Sequence, residues 1–220
     1  VQPFEIPTHW RKYRTIDYGL DRLACLWIAI SPDNVSYVYR EFCKSNLTIS
    51  QAADEICRRT PLTEDIYATL APPDMWSRSQ ESGKNKAILF SEYGLSFTKT
   101  SNDRECGWLA IKEYLKIREG GKPILKIFSN CTTIIKHLPM LIHDDKNYGD
   151  VKTEPHYITH APDSLRYFCI QWDKMNPISE IDDGVKRVVY PRDMLVDYRR
   201  SSPQERARIE QMMGGKPKLT

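Results

Sequence analysis

RKYRTIDYGLDRLACLWIAISPDNVSYVYREF, residues 11–42, decides the fold. Three β-type runs are separated by turn chemistry: KYRTIDYG, then an Asp-Arg turn into RLACLWIAIS, then Ser31-Pro32-Asp33-Asn34 leading into VSYVYREF. The spacing predicts an antiparallel meander. The second run is apolar on both faces, which places it at the centre of a sheet covered on each side by helices.

The rest of the chain alternates helix and strand signals. Thr48 and Gln51 predict a capping box for a helix showing Ile49, Ala52, Ala53 and Ile56 on one face and stopping at Thr60-Pro61. DIYATLAPPD reads as a strand ended by two prolines, with Asp74 at its carboxyl end. A helix is expected from Lys84 to Tyr93 and a short strand at LSFTKT. Asn102 and Glu105 are then expected to cap a helix carrying Trp108, Ile111 and Leu115. Lys122 to Ser129 reads as a strand, and Asn130 as the start of a helix interrupted by Pro139. Pro162 sits in the first turn of a last helix with Leu165, Phe168, Cys169 and Trp172 as its apolar positions. Beyond Asn176-Pro177 only KRVVYP has strand character, and the charged end is expected to be a mobile tail. The fold class is therefore α/β, a mixed central sheet with antiparallel first strands and helices on both faces.

Bulk composition excludes more than it identifies. With 32 basic and 29 acidic residues, the net charge of +3 leaves phosphate binding to local patches. Six cysteines without a C-x-x-C pair argue for reduced, buried thiols over a zinc ribbon or disulfide framework. The longest apolar run, Leu23 to Ile30, is too short to span a bilayer, and no signal pattern opens the chain. A soluble, unexported protein with no membrane association is expected. The opening VQPFEIP reads as a linker. Gly83-Lys84 in ESGKNK lacks the earlier glycine and the following Ser or Thr of a P-loop, so ATP binding is not expected.

Three carboxylates stand where a metal site could form. Asp17 interrupts the first strand, Asp74 ends a later one, and Asp163 opens the last helix. Hard divalent ions take few carboxylate oxygens and complete their shells with water and phosphate. Each acid taken alone has a structural role open to it. Asp17 could shape the turn with Gly19 and Asp21, and Asp163 could complement the helix dipole. His160, three residues before Asp163, could orient water or protonate a leaving group, or could bond backbone at the helix entry. His156 reads as structural, Asp21 as a turn residue and Asp182-Asp183 as a turn into KRVVYP.

The segments APPDMWSRSQESGKNKAILFSEYGLSFTKTSNDRECGWLAIKEYLK, GKPILKIFSNCTTIIKHLP and TEPHYITHAPDSLRYF resemble the carboxyl-terminal half of phage and prophage large terminase subunits, over roughly residues 11–172. The resemblance implies an RNase H-like nuclease domain over residues 11–175. Residues 1–10 would then be a linker from a missing ATPase motor, and residues 176–220 an extension and tail. It implies an endonuclease that cuts concatemeric double-stranded DNA when packaging starts and ends, using two Mg²⁺ or Mn²⁺ ions. Asp17 in RTIDYG, Asp74 in APPDMW and Asp163 in HAPDSLRY would be the metal ligands, with His160 beside them. Arg14, Arg78, Lys84, Lys86, Lys99 and Arg104 are the basic residues nearest the acids and the expected phosphate contacts. Duplex DNA would be the partner and, in the full-length protein, the portal and the small terminase subunit. The implied setting is the bacterial host cytoplasm, transiently at the procapsid portal. Two other readings stand beside this one: a nuclease-fold docking module with little activity in isolation, motivated by the tail, and another RNase H-superfamily nuclease such as a resolvase or transposase.

Overall fold

A computed structural model describes residues 1–19, 21–78, 83–118 and 121–175, the last three by backbone alone. The chain divides at Met175/Asn176 into two units. The KRVVYP strand, the Asp182-Asp183 turn and the tail expected beyond Asn176 lie outside the described residues.

The meander forms as the sequence predicts. β1 (Arg11–Tyr18), β2 (Arg22–Ile30) and β3 (Ser36–Ser45) pair antiparallel, with Thr15 opposite Leu26 and Asp17 opposite Ala24. Later strands add in parallel at both edges. β4 (Ala68–Ala71) joins β1 and β5 (Thr98–Lys99) joins β4, while β6 (Leu125–Ile127) joins β3, giving the order β5-β4-β1-β2-β3-β6. β2 is buried along nearly its whole length, which is why both of its faces are apolar.

Helices cover both faces. α1 (Ile49–Arg58) starts in the predicted capping box, Thr48 accepting from Gln51 N while Gln51 Oε1 accepts from Thr48 N, and buries Ala52, Ala53 and Ile56. α2 (Lys86–Ser91), capped by Asn85, packs beside it. On the opposite face α3 (Arg104–Leu115) packs on α5 (His160–Met175), which crosses β1 and β2, and α4 (Thr132–His137) packs on α5 and β3.

Two helix starts differ from expectation. Asp103, not Asn102, caps α3 by accepting from Cys106 N, and Asn102 instead accepts from the Arg166 guanidinium. Neither Asn130 nor its neighbour caps α4. The Glu41 carboxylate on β3 accepts from Thr133 N and Ile134 N, a cap supplied across the fold that no local spacing reveals. The expected linker, residues 1–10, packs on the β3–β6 edge, with the Phe4 ring 4.8 Å from Phe128 and 5.3 Å from Tyr37.

Arg14 corrects a sequence expectation. It faces α1, not DNA: it is 9% exposed, and its guanidinium donates to Thr69 Oγ1 and Thr60 Oγ1. Thr60 Oγ1 also accepts from Trp27 Nε1 at 3.0 Å and donates to Ile56 O. Thr60→Val keeps the shape but strands the indole N–H and one guanidinium donor. The expected cost is about 1–3 kcal/mol, read as a lower urea midpoint at unchanged slope; a variant as stable as the parent would show that water reaches these groups.

Candidate active site

β1 and β4 run parallel with Thr15 opposite Leu70, so their carboxyl ends reach the same edge of the sheet. Asp17 sits near the end of β1. Asp74 follows β4 in a 3-10 turn, Pro73–Trp76, because Pro72 and Pro73 donate nothing to the ladder and end it. α5 brings the third acid. Its Ser164 Oγ lies 2.6 Å from Thr15 Oγ1 and donates to Thr15 O, seating the first turn of the helix over the end of β1.

Both Asp17 oxygens are engaged from α5. His160 Nδ1 lies 2.6 Å from Oδ2, and the Tyr167 hydroxyl donates to Oδ1 at 3.2 Å. Burial, with the Asp17 and Asp163 charges added, raises the Tyr167 phenol well above its ordinary range and keeps it a donor. Burial alone would lower His160. The hydrogen bond and charge of Asp17, then those of Asp21, outweigh it and raise the imidazole above its usual value.

Asp163 is 7% exposed, and burial raises its pKa, with the nearby Asp17 charge acting in the same sense against Arg166 and Arg104. Its hydrogen bonds among the described residues fall on Oδ1: Arg166 Nε at 2.8 Å and Arg104 Nη1 at 3.3 Å. Arg166 is fully buried, and its other donors go to Asn102 Oδ1 and Asp103 O. Gly107 makes the space, since a Cβ there would stand 2.3 Å from Arg166 Cγ.

Arg104, expected at DNA phosphates, is held inside this network. Its Nε reaches both Asp150 oxygens at 2.8 and 2.9 Å, Trp108 Nε1 donates to Asp150 Oδ1, and the guanidinium lies 5.5 Å from the Trp108 ring. The other basic residues stand nearer the rim. Lys86 Nζ reaches Asp74 Oδ2 at 3.3 Å and Tyr18 O at 3.4 Å, joining the exposed Asp74 to the end of β1. Lys84 pairs with Glu92, Lys99 lies 5.8 Å from the Trp76 ring, and Arg78 is exposed.

Sequence reasoning passed over two neighbours. Asp21 and His156, read there as turn and structural residues, converge on His160: Asp21 Oδ2 lies 3.0 Å from His160 Nε2 and 3.2 Å from His156 Nδ1. Burial opposes ionisation of Asp21, but these two hydrogen bonds hold its pKa at about 2. Gly19 permits the approach, because a Cβ there would lie 2.8 Å from both Asp21 Oδ1 and His160 Cε1. The H-x-x-x-H spacing of residues 156–160 was the available signal. For Arg166 and Tyr167 it was their place three and four residues after Asp163 on one helix.

Asp17 near the end of β1, Asp74 after its parallel neighbour β4 and Asp163 on α5 stand on elements that adjoin one another. The sheet that carries them is the RNase H-like arrangement of phage large terminase nuclease domains. The P22 large terminase nuclease domain superposes with a TM-score of 0.63 at 20% identity, over 78% of this chain and 86% of that one. The large terminase of a thermophilic bacteriophage, in complex with ATP-γ-S, gives 0.61 at 16% identity, over 77% of this chain and 41% of its own. The large terminase nuclease of thermophilic phage G20c gives 0.51 at 13% identity, covering 79% and 92%. No protein-family model and no curated protein matches the chain.

Gly107→Ala tests the Arg166 seat. Its Cβ forces Arg166 off Asp163, so the variant should lose about 1–3 kcal/mol as overpacking typically costs. Arg166→Ala, which removes the Cγ and Cδ that the new Cβ would meet, should make the Gly107→Ala change tolerable. Denaturation midpoints of the two single variants and the double decide it, and simple additivity would refute the shared seat.

Proposed function

We propose that this chain is the nuclease part of a phage-type large terminase, a metal-dependent endonuclease that cuts concatemeric duplex DNA when packaging begins and ends. What supports this reading is the placement of Asp17 near the end of β1 and Asp163 in the first turn of α5, close enough for the Asp17 charge to act on Asp163, with the two arginines bonded to one oxygen of Asp163. The donor set is all carboxylate, which fits Mg²⁺ or Mn²⁺. Two such ions, held by Asp17, Asp74 and Asp163, would supply an activated water and charge stabilisation at the leaving oxygen.

The chain's own residues supply the rest. Arg166 fixes the rotamer of Asp163 from beneath, and Tyr167 fixes Asp17. His160, with Nδ1 on Asp17 and Nε2 on Asp21, is the residue that would orient water or protonate a leaving group. Lys86, with Arg78, Lys84 and Lys99 at the rim, would meet DNA phosphates without reading sequence. In a full-length protein the portal and small subunit would be the partners and the host cytoplasm the setting. Among the described residues no helix is long and apolar enough to cross a membrane.

Plasmid nicking with Mn²⁺ or Mg²⁺ tests the reading. Asp17→Asn, Asp74→Asn and Asp163→Asn should each lower cleavage by about a hundredfold or more, with the far-UV spectrum unchanged. Full cleavage by any one removes that residue from the site. Linear and branched duplexes should be cut at similar rates, whereas strong preference for a four-way junction would point to a resolvase. Lys86→Ala should weaken DNA binding uniformly across sequences and reduce the salt slope by about one, and an unchanged slope would take Lys86 off the DNA path.

A further inference from the structure

We propose that Asp21, His156 and His160 form a binding site for a zinc-class divalent ion, distinct in chemistry from the three aspartates. One potential ligand atom from each residue lies within 4.8 Å of the other two. Tetrahedral zinc with bonds near 2.0–2.2 Å separates its ligand atoms by about 3.3–3.6 Å. Asp21 Oδ2 already stands 3.2 Å from His156 Nδ1 and 3.0 Å from His160 Nε2, so only small movements separate the cluster from a coordinated one. The two rings are nearly perpendicular, 88° apart, with centroids 4.7 Å from each other, so neither stacks over the other's lone pair.

Three further features set this cluster apart from a chance contact. His156 and His160 are four residues apart where the 3-10 turn His156–Ile158 runs into α5, a spacing that brings two imidazoles to one side of a helix. His160 Nδ1 lies 2.6 Å from Asp17 Oδ2, the carboxylate support that metal-bound histidines commonly receive on their second nitrogen; it leaves Nε2 to face the ion. The cluster is open on one side: the His156 and Asp21 side chains are 54% and 48% exposed while that of His160 is 3% exposed. Such a site has a rigid inner ligand, two adjustable outer ones and a fourth position for water. Two imidazoles and one carboxylate favour Zn²⁺ or Co²⁺ over Mg²⁺, for which three carboxylates are the better match.

The test uses Co²⁺ as a spectroscopic probe and Zn²⁺ as competitor, on the 220-residue chain without DNA. One equivalent of Co²⁺ should give visible absorption of low-symmetry, four-coordinate character, bleached by Zn²⁺. His156→Ala and Asp21→Asn alter exposed side chains, and each should weaken Zn²⁺ binding by at least tenfold. The double variant Asp74→Asn, Asp163→Asn should retain it. Unchanged affinity in His156→Ala, or binding lost with the two aspartates and kept without His156, overturns the proposal. Because the readout needs no cleavage, zinc binding by a chain that never cuts plasmid would sink the nuclease reading and leave this site standing.

Discussion

The site exists because α5 crosses β1 in one register, and the hydroxyl pair between Thr15 and Ser164 sets that register. Both residues are fully buried, and Ser164 bonds the Thr15 hydroxyl and carbonyl together. The surrounding contact, Leu165 and Phe168 against Tyr13 and β2, is apolar and would tolerate sliding. Hydroxyls do not. A slip of one helical turn, about 5.4 Å, leaves two buried polar groups unpaired at about 1–3 kcal/mol each. It also carries His160, Asp163 and Tyr167 away from Asp17.

Charge is then arranged around that register. A buried ion pair such as Arg166–Asp163 rarely stabilises a fold more than an apolar pair of the same volume would. Its presence beneath the site is better understood as aiming: Arg166 holds one carboxylate oxygen, is itself held by Asn102 and the Asp103 carbonyl, and fits only because position 107 lacks a side chain. Arg104 extends the lattice to Asp150 and Trp108, so α3 and the segment before α5 constrain the same acid. A basic residue near an acid in sequence space therefore served geometry here rather than solvent or DNA.

What was legible in the sequence follows from these contacts. The meander, the Thr48 capping box and the proline stop before Asp74 are local signals, set by alternation and by residues that cannot donate or cannot continue a helix, and they survive folding. The roles of Arg14, Arg104 and Glu41 depend on which strand face or helix end arrives opposite them. One-residue alternation turned Arg14 toward Thr60 and Thr15 toward Ser164, and chain composition does not say which face carries α5. Asp21 and His156 are 135 residues apart and were separately ordinary; the fold makes them neighbours where Gly19 lets Asp21 come close to His160.

His160 would be the joint between the two proposed ligand sets. Its ring stands between Asp17 and Asp21, whose hydrogen bonds and charges raise its pKa against the opposing effect of burial. An ion on Nε2 would preserve the Nδ1 contact and with it the aim of Asp17, so the two sets are compatible in shape. They are not independent in charge. A divalent ion within one imidazole of Asp17 makes that carboxylate a poorer host for a second cation, and linkage requires the penalty to be reciprocal. The strength of each proposed metal site would thus be a property of the pair, transmitted through a single 2.6 Å contact between a buried imidazole and a strand-end carboxylate.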